Sequence, residues 1–115
     1  MKSIFCDIDG TILRHHGSLS TQIVNPPELL EGVLKKFNEW DKKRYNIILI
    51  TGRRESLREL TENQLANLGI FYDHLIMGLG GGDRILVNDR KLDNDKDTAY
   101  AVNLDRNEGL KNVKE

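Results

Sequence analysis

One cysteine, Cys6, in 115 residues leaves no internal disulfide to form. Cross-links therefore do not hold this chain together. Cys6 sits in the apolar run "IFC", where a buried, inert thiol is expected; a reactive one needs an activating partner that its sequence neighbours do not supply. No apolar stretch approaches the length of a membrane span. Asp7 interrupts the N-terminal apolar run before a signal-peptide core can develop, so the default location is cytoplasmic, with no membrane partner. Charge of one sign is missing too: 17 Lys and Arg face 18 Asp and Glu, for a net −1. That balance argues against a generally basic nucleic-acid binder. Repeats, low-complexity stretches and linkers are absent. What is present, 38% hydrophobic and 30% charged residues, suits one soluble globular domain over 1–115.

Apolar runs mark five strands, at 2–8, 45–51, 73–78, 84–89 and 98–104. The first reads as a central strand covered on both faces. Residues 11–20 suggest a small hairpin turning at Gly17. In "NPPELLEGVLKKFNEW" (25–40), Asn25 as cap and Pro26 as first residue predict a helix. Its inward face is Leu29, Leu30, Val33, Leu34, Phe37 and Trp40. A second helix is predicted over 52–69, with Leu57, Leu60, Leu65 and Leu68 inward and Gly69 as C-terminal cap. Residues 105–115 read as a loose polar tail. This order predicts an α/β fold, a Rossmann-like three-layer sandwich with a mainly parallel five-stranded sheet. Only a glycine-rich turn separates the third and fourth strands, and Gly80, Gly81 and Gly82 permit close backbone approach there.

In such sheets ligands bind beyond the carboxyl ends of the strands. Strand one ends in Asp7, Ile8 and Asp9, strand two in Thr51 and Gly52, and strand four in Asn88 and Asp89. Asp7 and Asp9 are two apart, which on an extended strand points both to one side. Two such carboxylates repel, and a magnesium ion relieves the repulsion, with Asp89 to complete its oxygen shell. Phosphoryl transfer fits: fixed cations neutralise a phosphate so that a carboxylate can approach it. Thr51 offers a hydroxyl, Gly10 and Thr11 offer backbone amides for an anion nest, and Gly52 would lie at a helix start.

These residues resemble the haloacid dehalogenase superfamily of phosphatases. "DIDGT" (7–11) matches its first motif, "LITGR" (49–53) its second, and "LVNDRKLD" (86–93) is similar to its fourth. The resemblance implies that Asp7 attacks phosphorus and forms an aspartyl phosphate. It implies that Asp9 protonates the leaving oxygen and then activates water. Mg2+ would be held by Asp7, Asp9, Asp89 and Asn88, and phosphate by Thr51, Gly52 and a third-motif cation. No Lys stands at the usual place for that cation; Arg84 is the substitute, with Lys91 and Lys96 as fallbacks. Asn88 removes a charge from the metal shell, which Asp93 would restore. No cap domain is inserted, so the site is open, and a bulky substrate or a second subunit acting as lid fits it.

Plainer roles stand beside these. Asp89 alone suits a turn, Arg84 a surface salt bridge, and the loop residues His15 and His16 simple solvation. Arg53 and Arg54 oppose the dipole of the predicted helix, which hints at an anion, although surface exposure is the simpler account. The expected function is a magnesium-dependent phosphomonoester hydrolase acting on a small phosphorylated metabolite such as a sugar phosphate. The alternatives are a non-catalytic phosphate-binding or regulatory domain of the same fold and a nucleic-acid end phosphatase.

Overall fold

The structure is a computed structural model describing residues 1–92 and 96–115. Strand β1 (Ser3–Asp7) pairs in parallel with β2 (Asn46–Ile50), and β2 pairs in parallel with β3 (His74–Ile76). Helix α1 spans Leu19–Val24, α2 spans Val33–Lys42 and α3 spans Arg58–Asn67. Parallel strands alternating with helices are consistent with the Rossmann-like arrangement expected. Side chains alternate across the pleat. Ile4 and Cys6 of β1 therefore join Ile47 and Leu49 of β2, their register partners, in one core with Val33, Phe37 and Trp40 of α2.

The sheet is smaller than expected. Among the described residues it has three strands, in the order β1-β2-β3. Residues 84–89 and 98–104 carry no strand, and Ile85 and Val87 are 86% and 91% exposed. Strand β1 is thus an edge rather than the centre of this sheet, and Phe5 is 54% exposed. Apolar β-branched residues favour a strand only where a partner ladder and a covering face exist; here the 84–89 segment has neither.

The expected hairpin at 11–20 is replaced by a tight turn and a short helix. The Ile8 carbonyl accepts from the amides of Thr11, Ile12 and Leu13 at 3.1, 2.9 and 3.1 Å. Ser18 then caps α1 by accepting from the Thr21 amide. Six residues are too few to show a helical period in sequence. Asn25 does not start a helix. It closes α1, giving its amide and its side-chain Nδ2 to the Thr21 carbonyl. Residues 28–30 instead run beside 12–14, with Arg14 N to Glu28 O at 2.9 Å and Leu30 N to Ile12 O at 3.0 Å. Helix α2 begins only after Gly32, whose φ of 78° is left-handed and whose missing Cβ leaves 2.6 Å to the Lys111 amide nitrogen. Leu34, expected inward, is half-exposed.

The second predicted helix also starts late, at Arg58, after a single 3₁₀ turn over Glu55–Leu57. Its end at Gly69 is as expected, with a left-handed φ of 79°. Of its four expected inward leucines, Leu65 is fully buried. The tail forms no helix or strand, yet it is tied down rather than loose. Leu110 is buried and donates its amide to Glu31 O at 2.8 Å, and Glu115 accepts from Trp40 Nε1 at 2.9 Å. Asp93, the suggested compensating acid, lies outside the described residues. Among the described residues no helix is long and apolar enough to cross a membrane.

Candidate functional site

Strand β1 ends at Asp7, and the turn around the Ile8 carbonyl follows at once. Asp7 and Asp9 each find a cation of their own. Asp7 Oδ1 accepts from Arg84 Nη1 at 3.0 Å, and its Oδ2 accepts from Thr11 Oγ1 at 3.0 Å. Both partners of the Asp7–Arg84 pair keep about a third of their side-chain surface, at 32% and 38%. Arg84 thus reaches the first-motif acid from 77 residues away in sequence.

Asp9 is held by Arg53, which is 5% exposed and not a surface residue. Arg53 Nε donates to Asp9 Oδ2 and Nη2 to Oδ1, both at 2.8 Å, a two-pronged fit of guanidinium to carboxylate. Its Nη1 donates to Thr61 Oγ1 at 3.0 Å and Gln64 Oε1 at 2.8 Å on α3. That explains why α3 turns polar residues inward: a buried guanidinium needs every donor met. Gln22 of α1 adds a third bond to Asp9, Nε2 to Oδ1 at 2.8 Å. The signal for Arg53 was its unfavourable charge ahead of a predicted helix. Gln22 and α1 gave no sequence signal.

Thr51 follows β2 directly, beside the end of β1, because Asp7 registers with Ile50. It is buried, and its Oγ1 accepts from the Arg53 amide at 3.1 Å. The loop after β3 closes over it: Leu79 donates to Thr51 O at 3.1 Å and Gly78 to Arg53 O at 2.7 Å. A Cβ on Gly52 would stand 2.7 Å from the Gly80 carbonyl oxygen, the close approach the glycines were expected to permit. Gly52 is exposed and precedes α3 by a 3₁₀ turn, so it is not at that helix start. The anion nest is not formed either. The Gly10 amide is spent on Leu13 O at 2.7 Å and that of Thr11 on Ile8 O.

The fourth-motif residues stand elsewhere. Asn88 and Asp89 line a separate hollow with Arg90, Asp97 and Thr98, and Asn88 Nδ2 donates to Thr98 Oγ1 at 2.8 Å. Lys91 lies 3.9 Å from Asp89 in an exposed ion pair. Among the described residues no group of three or more acidic, His or Cys side chains could hold a metal ion. The residues as placed therefore do not fit the expected magnesium shell. Cys6 is buried, and that burial, helped by the charge of Asp7, pushes its thiol up to about 12, so it stays an inert thiol as expected.

No protein-family model and no curated protein sequence matches the chain. Among solved structures, a chain of a Pnkp1/Rnl/Hen1 complex is 32% identical with a TM-score of 0.59, over 66% of this chain and 27% of that one. A chain of the Pnkp1/Rnl/Hen1 RNA repair complex is 34% identical with a TM-score of 0.55, over 66% of this chain and 25% of that one. This chain thus spans about a quarter of those two. D,D-heptose 1,7-bisphosphate phosphatase from B. bronchiseptica, complexed with magnesium and phosphate, is 21% identical with a TM-score of 0.52, over 72% of this chain and 52% of that one. The α/β fold is therefore one that this chain shares with these solved structures.

Proposed function

We propose that the chain is a phosphomonoester hydrolase of the haloacid dehalogenase type, working through an aspartyl phosphate on Asp7. The observation that carries this reading is Asp7 itself: a half-buried carboxylate at a parallel strand's carboxyl end, with Thr11 and Arg84 on its two oxygens. Arg84 neutralises both the acid and an arriving phosphate, so their mutual repulsion falls. An Asp7 oxygen forms the new bond to phosphorus as the bond to the leaving oxygen breaks, and Asp9 supplies the proton that oxygen needs. Water then attacks phosphorus, Asp9 recovers a proton from it, and Asp7 is released as a carboxylate with inorganic phosphate. As placed, Asp9 accepts three hydrogen bonds. One of its oxygens must slip free of Arg53 or Gln22 to carry the proton. Thr51 and Gly52, which follow the neighbouring strand β2, are the proposed phosphate contacts from that side.

The proposed substrate is a small phosphorylated metabolite such as a sugar phosphate. Magnesium dependence rests on the first-motif resemblance and on likeness to a phosphatase complexed with magnesium and phosphate. Among the described residues, Asp89 does not join Asp7 and Asp9 in a group that could hold the ion. A second reading, a phosphatase of nucleic-acid ends, draws on the 32% identity to a chain of a Pnkp1/Rnl/Hen1 complex. The test is hydrolysis of p-nitrophenyl phosphate with magnesium and with chelator, by the parent chain and by Asp7→Asn. Turnover that needs magnesium and disappears in the variant supports the proposal; turnover surviving in Asp7→Asn overturns Asp7 as nucleophile. A folded parent chain that binds inorganic phosphate yet turns nothing over supports the regulatory alternative.

A further inference from the structure

Beyond Asp7, the turn that carries it is flanked by a cationic group with nothing to do. The tail returns to this turn at Asn107, which is left-handed with φ 65°. Its amide donates to Gly10 O at 2.8 Å, its Oδ1 accepts from the His15 amide at 2.7 Å, and its Nδ2 donates to His15 O at 3.3 Å. These bonds set the preceding residue, Arg106, against the turn. The Arg106 Cγ lies 3.4 Å, and its Nε 4.0 Å, from where a Gly10 Cβ would stand, and the His15 Cβ lies 3.7 Å from the same point. Arg106 is exposed, and it has no hydrogen bond or ion pair with any described residue. His15 Nδ1 accepts from the Gly17 amide at 3.0 Å. A ring nitrogen that accepts carries no hydrogen in the neutral ring, so Nε2 is the donor. The Arg106 side chain and the His15 Cβ thus flank Gly10, three residues beyond the proposed nucleophile.

The bland alternative is a solvated arginine. A long, flexible cation is ordinarily left to wander or is paired with a nearby acid. Here the backbone beneath it is clamped by three hydrogen bonds. The left-handed Gly10, φ 91°, also leaves the space that its side chain covers. Guanidinium is the group best shaped for a phosphate, and imidazole N–H adds a second donor.

We propose that Arg106, assisted by His15, binds a second phosphate on the substrate, distinct from the one transferred to Asp7. The preferred substrate is then a phosphomonoester that carries another phosphate: a sugar bisphosphate or the phosphorylated end of a nucleotide chain. This rests on the hydrolase reading above. The test compares fructose 1,6-bisphosphate, fructose 6-phosphate and adenosine 3′,5′-bisphosphate with the parent chain, Arg106→Gln and Arg106→Lys. In steady-state kinetics Arg106→Gln lowers the bisphosphate-to-monophosphate ratio of kcat/KM about tenfold, mainly through KM, and Arg106→Lys restores part of it. The bisphosphate on which the loss is larger identifies the source, sugar or nucleotide. An unchanged ratio overturns the proposal. Calorimetric titration of the same compounds separates the two ideas. If the parent chain turns nothing over, the hydrolase reading fails, while bisphosphate affinity that falls about tenfold in Arg106→Gln still upholds the second-phosphate site. Equal affinity in the two chains refutes it with or without turnover.

Discussion

Arg53 holds Asp9 with both prongs of its guanidinium, at 2.8 Å each, while its remaining nitrogen is spent on Thr61 and Gln64. The pair joins the turn after β1 to α3, and Arg53 keeps only 4% of its side-chain surface. Breaking a buried pair strands the surviving charge. Arg53→Met therefore lowers stability by about 3 kcal/mol, since Asp9 retains some solvent, as read by urea unfolding. Arg53→Lys keeps the charge but loses the fork, so it recovers only part of that.

Arg84 and Asp7 form a different kind of pair, half-exposed on both sides. Its removal in Arg84→Ala costs less than about 1 kcal/mol of stability. If Arg84 neutralises the transferred phosphate, kcat/KM falls about 100-fold in the same variant. A variant that loses stability but no activity would return Arg84 to the role of a surface ion pair.

Gly109 is left-handed, φ 87°, and a Cβ there would press on the Glu31 backbone, 2.8 Å from its nitrogen. Gly109→Ala must therefore shift the tail from the segment leading into α2. A loss of about 2 kcal/mol is expected in denaturant unfolding. Gly81→Ala, where a Cβ meets open space, is the control and should change little.

Glu115 carries a pH signature. Burial alone would raise its carboxyl, but the Trp40 hydrogen bond and the Lys36 ammonium outweigh this and hold it below its ordinary 4.5. A carboxyl that binds protons less readily when folded stabilises the fold above its unfolded value. That contribution is lost as pH falls through the lower, folded value. The gap in melting temperature between the parent chain and Glu115→Gln should thus be full near neutrality and close in acid well below 4.5. A gap that does not change with pH would contradict the assignment.

Several elements were legible in the residues. The apolar run before Asp7, the run before Thr51 and the Gly69 stop each carry a local signal, and each appears as an element or boundary. So did the inward face of α2 at Val33, Phe37 and Trp40. Arg84 as the cation beside Asp7 was readable only through the family resemblance, which implies a cation there. Helix α1, too short for a period, was not legible. Nor was the start of α2, which depends on the close approach of Lys111 to Gly32.

The sequence by itself determined which segments are apolar enough to pair in parallel and that acids stand where the first of them ends, because pleat period and turn chemistry are local properties. Only the tertiary structure decided which cation answers which acid. Arg53 turned inward because α3 supplies Thr61 and Gln64 to satisfy it, and Arg84 and Arg106 reached the turn around Asp7 from distant loops. The pairing of charges follows from where the chain folds back, and buried charge is tolerated only where every partner arrives together.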